Sequence, residues 1–290
     1  MGSILMLIKA TLISALLATQ ASAAPAAPTV LERSGRWVAR FDEDGCKILG
    51  AFGEGKDQIS IQLRQLPSQP NFEISLFGEI FKTEDPFSDM KMAFAPHDGL
   101  IKVVTTNGDV NGIPTRISGN WRVDNFRSAS PQNDVAPVTP AQEAAVEALD
   151  ISSGKAVYRL HTATMAGTMR TLRNCMDELM THWGYDPIQY RTLSHRAEPV
   201  GNIGKWVTSS DYPSGAISKG QMAIVHFRLD VDAVGGVGNC VVIAANYPPG
   251  LETLACRLIK LRAHFTPALD KDGKAVASFY VNTVRFTLPR

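Results

Sequence analysis

The chain predicts an α+β protein of two domains: an N-terminal β-rich domain with packed helices, and a C-terminal domain with a small antiparallel sheet and two helices. Three observations carry this reading. Brief runs between Trp37 and Ile117 alternate apolar and polar residues, the period of half-buried strands. Met165, Met169, Leu172, Met176, Leu179 and Trp183 recur at spacings of four and three, which lines one face of a helix. Residues 206–290 set a short helix, two strands, a longer helix and a last strand in succession. A length of 290 residues suits two cores. A composition 44% hydrophobic and 20% charged, with a net charge of +1, is that of an ordinary globular protein and lacks the cationic excess of a nucleic-acid binder.

At the N-terminus, residues 1–23 put one cation, Lys9, before the apolar run Ala10 to Ala18 and a small-residue exit, Ala21-Ser22-Ala23. This reads as a secretory signal cleaved after Ala23, hence a periplasmic or secreted product. The alternative is an uncleaved inner-membrane anchor, but the apolar run is shorter than the ~20 residues a spanning helix needs. Residues 24–36, which include Ala24-Pro-Ala-Ala-Pro28, form a tether. Ile59, Ile61 and Leu63, then Phe72, Ile74 and Leu76, mark two strands. Leu100 to Thr105, the Asn107-Gly-Asp turn and Ile113 to Ile117 suggest a hairpin. Ser128 to Pro140 reads as a loop, Ala141 to Leu149 as a helix capped by Thr139, and Val157 to Leu160 as a further strand. Residues 196–205, with Pro199 and two glycines, break all periodicity and serve as a linker between a 37–195 domain and a 206–290 domain.

Export dictates how the four cysteines are read, since thiols pair in an oxidising compartment. Cys240 falls on a predicted strand and Cys256 on the next helix, so these pair, leaving Cys46 with Cys175. No CxxC-like spacing supports a zinc site.

Candidate chemistry is thin. Gly50 to Lys56 has the Gly-x4-Gly-Lys of a phosphate loop, but Asp57 stands where the magnesium-binding hydroxyl belongs and would repel phosphate. Ser152-Ser-Gly-Lys155 fits the Ser-x-x-Lys of penicillin-interacting serine enzymes, without the companion Ser-Asp-Asn and Lys-Thr-Gly elements; a periplasmic serine hydrolase is the minor alternative. The six histidines form no HExxH, and alternation turns His226 towards solvent. Asp270-Lys-Asp-Gly273 and Phe41-Asp-Glu-Asp-Gly45 read as turns rather than calcium loops, since the late glutamate is missing. These features imply no catalytic residue, cofactor or metal.

Within residues 206–290, Tyr212-Pro213 opens a short helix through Ile217, and Gly220 to Leu229 and Val237 to Ala244 are strands. The helix Leu251 to His264 turns Leu251, Leu254, Ala255, Leu258 and Leu261 inward, and Val276 to Leu288 is the last strand. The ordered set Tyr212-Pro-Ser-Gly-Ala216, Gly220 to Leu229, Arg262-Ala-His-Phe-Thr-Pro-Ala268 and Asp272-Gly-Lys274 resembles the C-terminal domain of TonB-family energy transducers. The resemblance implies a non-enzymatic periplasmic domain that pairs an edge strand with the TonB box of outer-membrane TonB-dependent transporters, or with other envelope proteins, by β-augmentation. It places that edge in Phe279, Tyr280, Val281, Asn282, Thr283, Val284 and Arg285, with Asp211, Tyr212 and Pro213 as a second contact region. The same edge offers a route to a homodimer. Two departures favour a binding or adaptor protein over an anchored energy transducer with an uncleaved N-terminus: no long proline-rich linker is present, and Trp37 to His195 has no counterpart in the ordinary transducer.

Overall fold

The computed structural model describes residues 27–288 apart from 43–44, 68, 83–89, 127–135, 155 and 247–249. The signal segment, the core of the Ser128–Pro140 loop, the acidic turn before Gly45 and Lys155 of the Ser-x-x-Lys motif therefore lie wholly or partly outside the described residues.

The N-terminal half is built from strands β1 (Thr29–Glu32), β2 (Val38–Asp42), β3 (Gly45–Phe52), β4 (Ile59–Gln65), β5 (Phe72–Phe77), β6 (Met90–Ala95), β7 (Ile101–Val103), β8 (Thr106–Val110) and β9 (Ile113–Trp121). Helix α1 (Pro140–Ala145), β10 (Ala148–Ser153), β11 (Ala156–His161), α2 (Ala166–His182) and α3 (Pro187–Arg191) follow. One antiparallel sheet has the order β2-β3-β4-β5-β9-β8, and a second has the order β1-β11-β10-β6-β7 with β1 parallel to β11. Alternation buries one face of each: Ile48, Ile61, Ile74 and Leu76 from the first meet Met92, Phe94, Leu149 and Leu160 from the second in one core. Helix α2 closes that core with its stripe, Met165, Met169, Leu172 and Leu179 buried and Met176 and Trp183 half-buried. Cys46 of β3 is bonded to Cys175 of α2, with S–S 2.08 Å.

Two local expectations are corrected here. The β8–β9 hairpin turns at Asn111-Gly112, both at positive φ (54° and 83°), rather than at Asn107-Gly108, which lies inside β8. This is the backbone a two-residue primed turn demands. Residues 101–103 belong to the other sheet, paired with β6. Helix α1 starts as expected, with Thr139 and Gln142 in a reciprocal capping box, but ends at Ala145. Ala148 and Leu149 are in β10 instead, because Leu149 and Ile151 alternate into the core between β6 and β11.

On the same strand Asp150, only 4% exposed, accepts two bonds from Arg159 at 2.8 and 2.6 Å and lies 2.9 Å from His97 Nε2. Burial pushes its carboxyl up, but the bonds from Arg159 and His97 outweigh burial and hold it below the usual carboxylate range. A depressed folded value means that the stabilisation is present above about pH 4 and is lost as pH falls through the folded value. Asp150→Asn should therefore cost roughly 1–3 kcal/mol at neutral pH and progressively less in acid, read from urea midpoints across pH. A cost that does not change with pH would contradict the assignment.

In the C-terminal half, β12 (Glu198–Pro199), α4 (Ser214–Ser218), β13 (Ala223–Val231), β14 (Val237–Asn246), α5 (Leu251–Arg262), β15 (Phe265–Thr266), β16 (Ala268–Leu269), β17 (Ala275–Val276) and β18 (Ser278–Phe286) appear in order. The main sheet is antiparallel with the order β14-β13-β18, and α5 covers one face. The segment read as a linker packs onto this half: β12 pairs with β15 and Ala197 is in the core. The last strand is divided at Ala277, with β17 pairing β16 and β18 pairing β13.

Leu261 is 71% exposed, not inward, and Ile259 is fully buried in its place. At 3.6 residues per turn the two lie about 80° to either side of Leu251, and the sheet covers the Ile259 side. Cys256 of α5 is bonded to Cys240 of β14, with S–S 1.99 Å. In the β13–β14 turn, Gly235 sits at φ 87° where a Cβ would come 1.9 Å from Phe265 O, so only glycine fits. Asp270 is likewise spent on a turn, its Oδ1 accepting from the N–H of Asp272 and Lys274 at 2.9 Å each.

Candidate partner-binding edge

Strand β18 lies at the end of its sheet, with β13 on one side and, among the described residues, no strand on the other. Its side chains divide by parity, as a pleat requires. Tyr280, Val284 and Phe286 point to the α5 side, joining Val225, Phe227 and Leu229 of β13. Phe279 and Val281 point the other way, and that face is not open to solvent. It is covered by the N-terminal half, in a cluster with Leu66, Met180, Tyr190 and Ile243.

Phe279 is the anchor of this junction, at 2% exposure. Tyr190 stacks on it at 4.7 Å and 17°, Tyr185 lies tilted at 4.8 Å, and Trp183 meets it edge-on at 5.5 Å. A polar cluster flanks the ring: Tyr185 donates to Asp230 Oδ1 at 2.9 Å and to Ser278 O at 3.2 Å, while Arg228 donates to Asp230 and lies 4.6 Å over the Trp183 ring. Burial, ahead of the bond to Asp230, pushes the Tyr185 hydroxyl well above its ordinary value. His226 is part of the same seam. Its Nδ1 is 2.9 Å from Thr283 Oγ1 and its Nε2 is 3.4 Å from Arg64 Nη1 of β4, so the expected solvent-facing orientation is corrected. Alternation did aim it away from α5, but a second body lies there.

The residues expected at the edge are thus unequally placed. Phe279 and Val281 are consumed by the junction, and Tyr280 packs on Phe265 and Trp206. Asn282, Thr283 and Val284 are half-buried and Arg285 is exposed. The Thr283 N–H donates to the Asn282 side-chain oxygen at 2.7 Å, so it is not spent on β13. Alternate residues of an antiparallel strand direct their main-chain groups the same way, which turns Val281 and Arg285 outward with it.

Asp211, Tyr212 and Pro213 adjoin the far end of this strand. The Tyr212 ring packs on Phe286 at 5.3 Å and its hydroxyl donates to Gln221 O. Asp211 is held by Arg262 at 2.6 and 2.8 Å and accepts from the Thr208 N–H and hydroxyl. The Arg262 guanidinium, with those Thr208 bonds, holds its carboxyl well below the usual range. Pro213 alone of the three is exposed. The motif residues therefore build the strand's support, and the accessible stretch is Asn282 to Arg285. Tyr185 and Tyr190 escaped the sequence reading; their signal was the aromatic spacing Trp183-Gly-Tyr185 and Tyr190 just past the helix.

Residues 208–288 match the family model described as the Gram-negative bacterial TonB protein C-terminal. Residues 208–288 carry a TonB-type C-terminal domain. Searches of the curated proteins and of the solved structures found no match. The family match begins at Thr208 and takes in α4, the three-stranded sheet and α5, leaving the β-rich half outside it. The match speaks for residues 208–288 alone, which are similar to a C-terminal module of the Gram-negative bacterial envelope. Among the described residues no helix is long and apolar enough to cross a membrane.

Proposed function

We propose that the protein is a periplasmic adaptor whose TonB domain binds an extended segment of an outer-membrane transporter, or of another envelope protein, along the Asn282–Arg285 part of β18. The observation that supports this is the Thr283 N–H, turned away from β13 at the edge of the sheet. Main-chain bonds to an added strand supply affinity there, while half-buried side chains on either side read the sequence of the guest. The N-terminal half holds one face of β18, so the guest approaches from the edge and not from above.

Thr283→Pro removes the outward donor, whereas Thr283→Val keeps it. With TonB-box peptides immobilised, the proline variant should bind about tenfold or more weakly and the valine variant nearly as the parent. Equal capture by both variants, with unchanged circular dichroism, would rule out edge pairing. Light scattering of the free protein reports whether a second copy takes the same edge. The mature N-terminus decides between the adaptor and an anchored transducer: a soluble product starting at Ala24 belongs to the adaptor, and an intact N-terminus in the membrane fraction belongs to the transducer.

A further inference from the structure

A cleft of about 780 Å³ opens beside the junction, lined by the end of β4, the start of β5, the segment after β9, α1, α2 and residues 190–198. Its volume is in the range of small-molecule sites, about 300–1,000 Å³. The lining has two chemistries. Phe72, Met169, Met176 and Met180 give an apolar part in which three of the four are buried, and methionines adapt to irregular guests. The other part is a set of charged side chains among neutral ones, and its carboxylates are already engaged. Glu143 is gripped by both Nη atoms of Arg173, Asp177 by Arg191, and Glu198 lies 3.7 Å from His195.

Arg122 is different. It is 3% exposed and lines the cleft. Asp124 takes its Nε and Nη2 at 3.0 and 2.6 Å, but its Nη1 is buried and, among the described residues, has no hydrogen-bond partner. Buried donors in folded proteins are nearly always matched, and the acceptor that best suits a guanidinium is an anionic oxygen. We propose that this cleft binds an anionic amphiphile, a carboxylate or phosphate carried on an apolar chain, with its oxygen on Arg122 Nη1 and its chain against Phe72 and the three methionines.

Calorimetry on the full mature chain, below the micellar concentration, tests this with dodecanoate, dodecyl phosphate, dodecanol and inorganic phosphate. Saturable binding of one or both anionic amphiphiles is expected, and which of the two is tighter identifies the head group. Dodecanol should be weaker by about tenfold to a hundredfold, as for a lost charge-assisted bond, and inorganic phosphate weaker still. Arg122→Gln should remove the preference for the anion. Met176→Trp, which fills the cleft and leaves the Arg122–Asp124 pair in place, should weaken every amphiphile and serves as the readout if Arg122→Gln does not fold. No saturable binding, equal affinity for dodecanol and dodecanoate, or an affinity untouched by Met176→Trp would each overturn the proposal.

Discussion

Replacing Phe279 with alanine should lower the unfolding free energy by about 3–5 kcal/mol, as for a large buried aromatic, and should uncouple the two halves of the chain. The ring is 2% exposed and is held by three aromatic residues, Trp183, Tyr185 and Tyr190, all contributed by the N-terminal half. Each such aromatic contact adds about 0.5–1.5 kcal/mol beyond the area buried, so truncation loses contact energy on three sides and leaves a cavity. The surrounding side chains cannot close over it. Tyr185 is fixed by its bonds to Asp230 and Ser278, and Trp183 lies under Arg228.

Because the cage and the ring come from different halves, the loss falls on their junction and not on either main core. Urea unfolding of the parent should show one transition by tryptophan fluorescence and by circular dichroism together. In Phe279→Ala the TonB domain should melt separately and earlier. Phe286→Ala is the comparison: Phe286 is equally buried, at 4%, but packs on Tyr212 inside the TonB domain. It should destabilise that domain without parting the halves first. A Phe279→Ala protein that loses less than about 1 kcal/mol, or still unfolds in one step, would show that the junction is not cooperative.

What the sequence made legible was whatever periodicity encodes. Ile59, Ile61 and Leu63 had to face one way, the methionine stripe of α2 had to face a sheet, and the order of motifs in residues 206–290 pointed to the TonB domain. Where two bodies cover one element, periodicity fails. His226 and Phe279 point away from α5, and a single sheet face predicts solvent for both; the N-terminal half supplies their surroundings instead. Tyr185 lies in a short connection and Tyr190 in the five-residue helix α3, too short for a repeat to mark either. Leu261 and Ile259 are equivalent by helical angle, and only the tilt of α5 on the sheet decides between them. The same limit hid the burial of Val281, whose alternation with Tyr280 allowed one face for a partner where the fold uses both.

The two cystines should differ in both worth and accessibility. Cys46–Cys175 closes a sequence separation of 129 and Cys240–Cys256 one of 16. On the chain-entropy account the first limits the unfolded chain by about 4–5 kcal/mol and the second by about 3 kcal/mol. The first also joins β3 to α2 through a fully buried Cys46, so its replacement by a pair of alanines leaves a defect in the main N-terminal core. Both effects act in the same direction, and the Cys46→Ala/Cys175→Ala protein should be the least stable of the cystine variants. Reduction under native conditions follows the opposite order. Cys240 and Cys256 are half-buried, against a sealed Cys46, so a mild thiol should open the TonB-domain cystine first while the other persists until the N-terminal half unfolds. Alkylation of the freed thiols followed by peptide mass analysis reads the order directly. Equal losses of stability in the two double variants, or alkylation of Cys46 ahead of Cys240, would mean that the burial and loop-length argument does not govern these bonds.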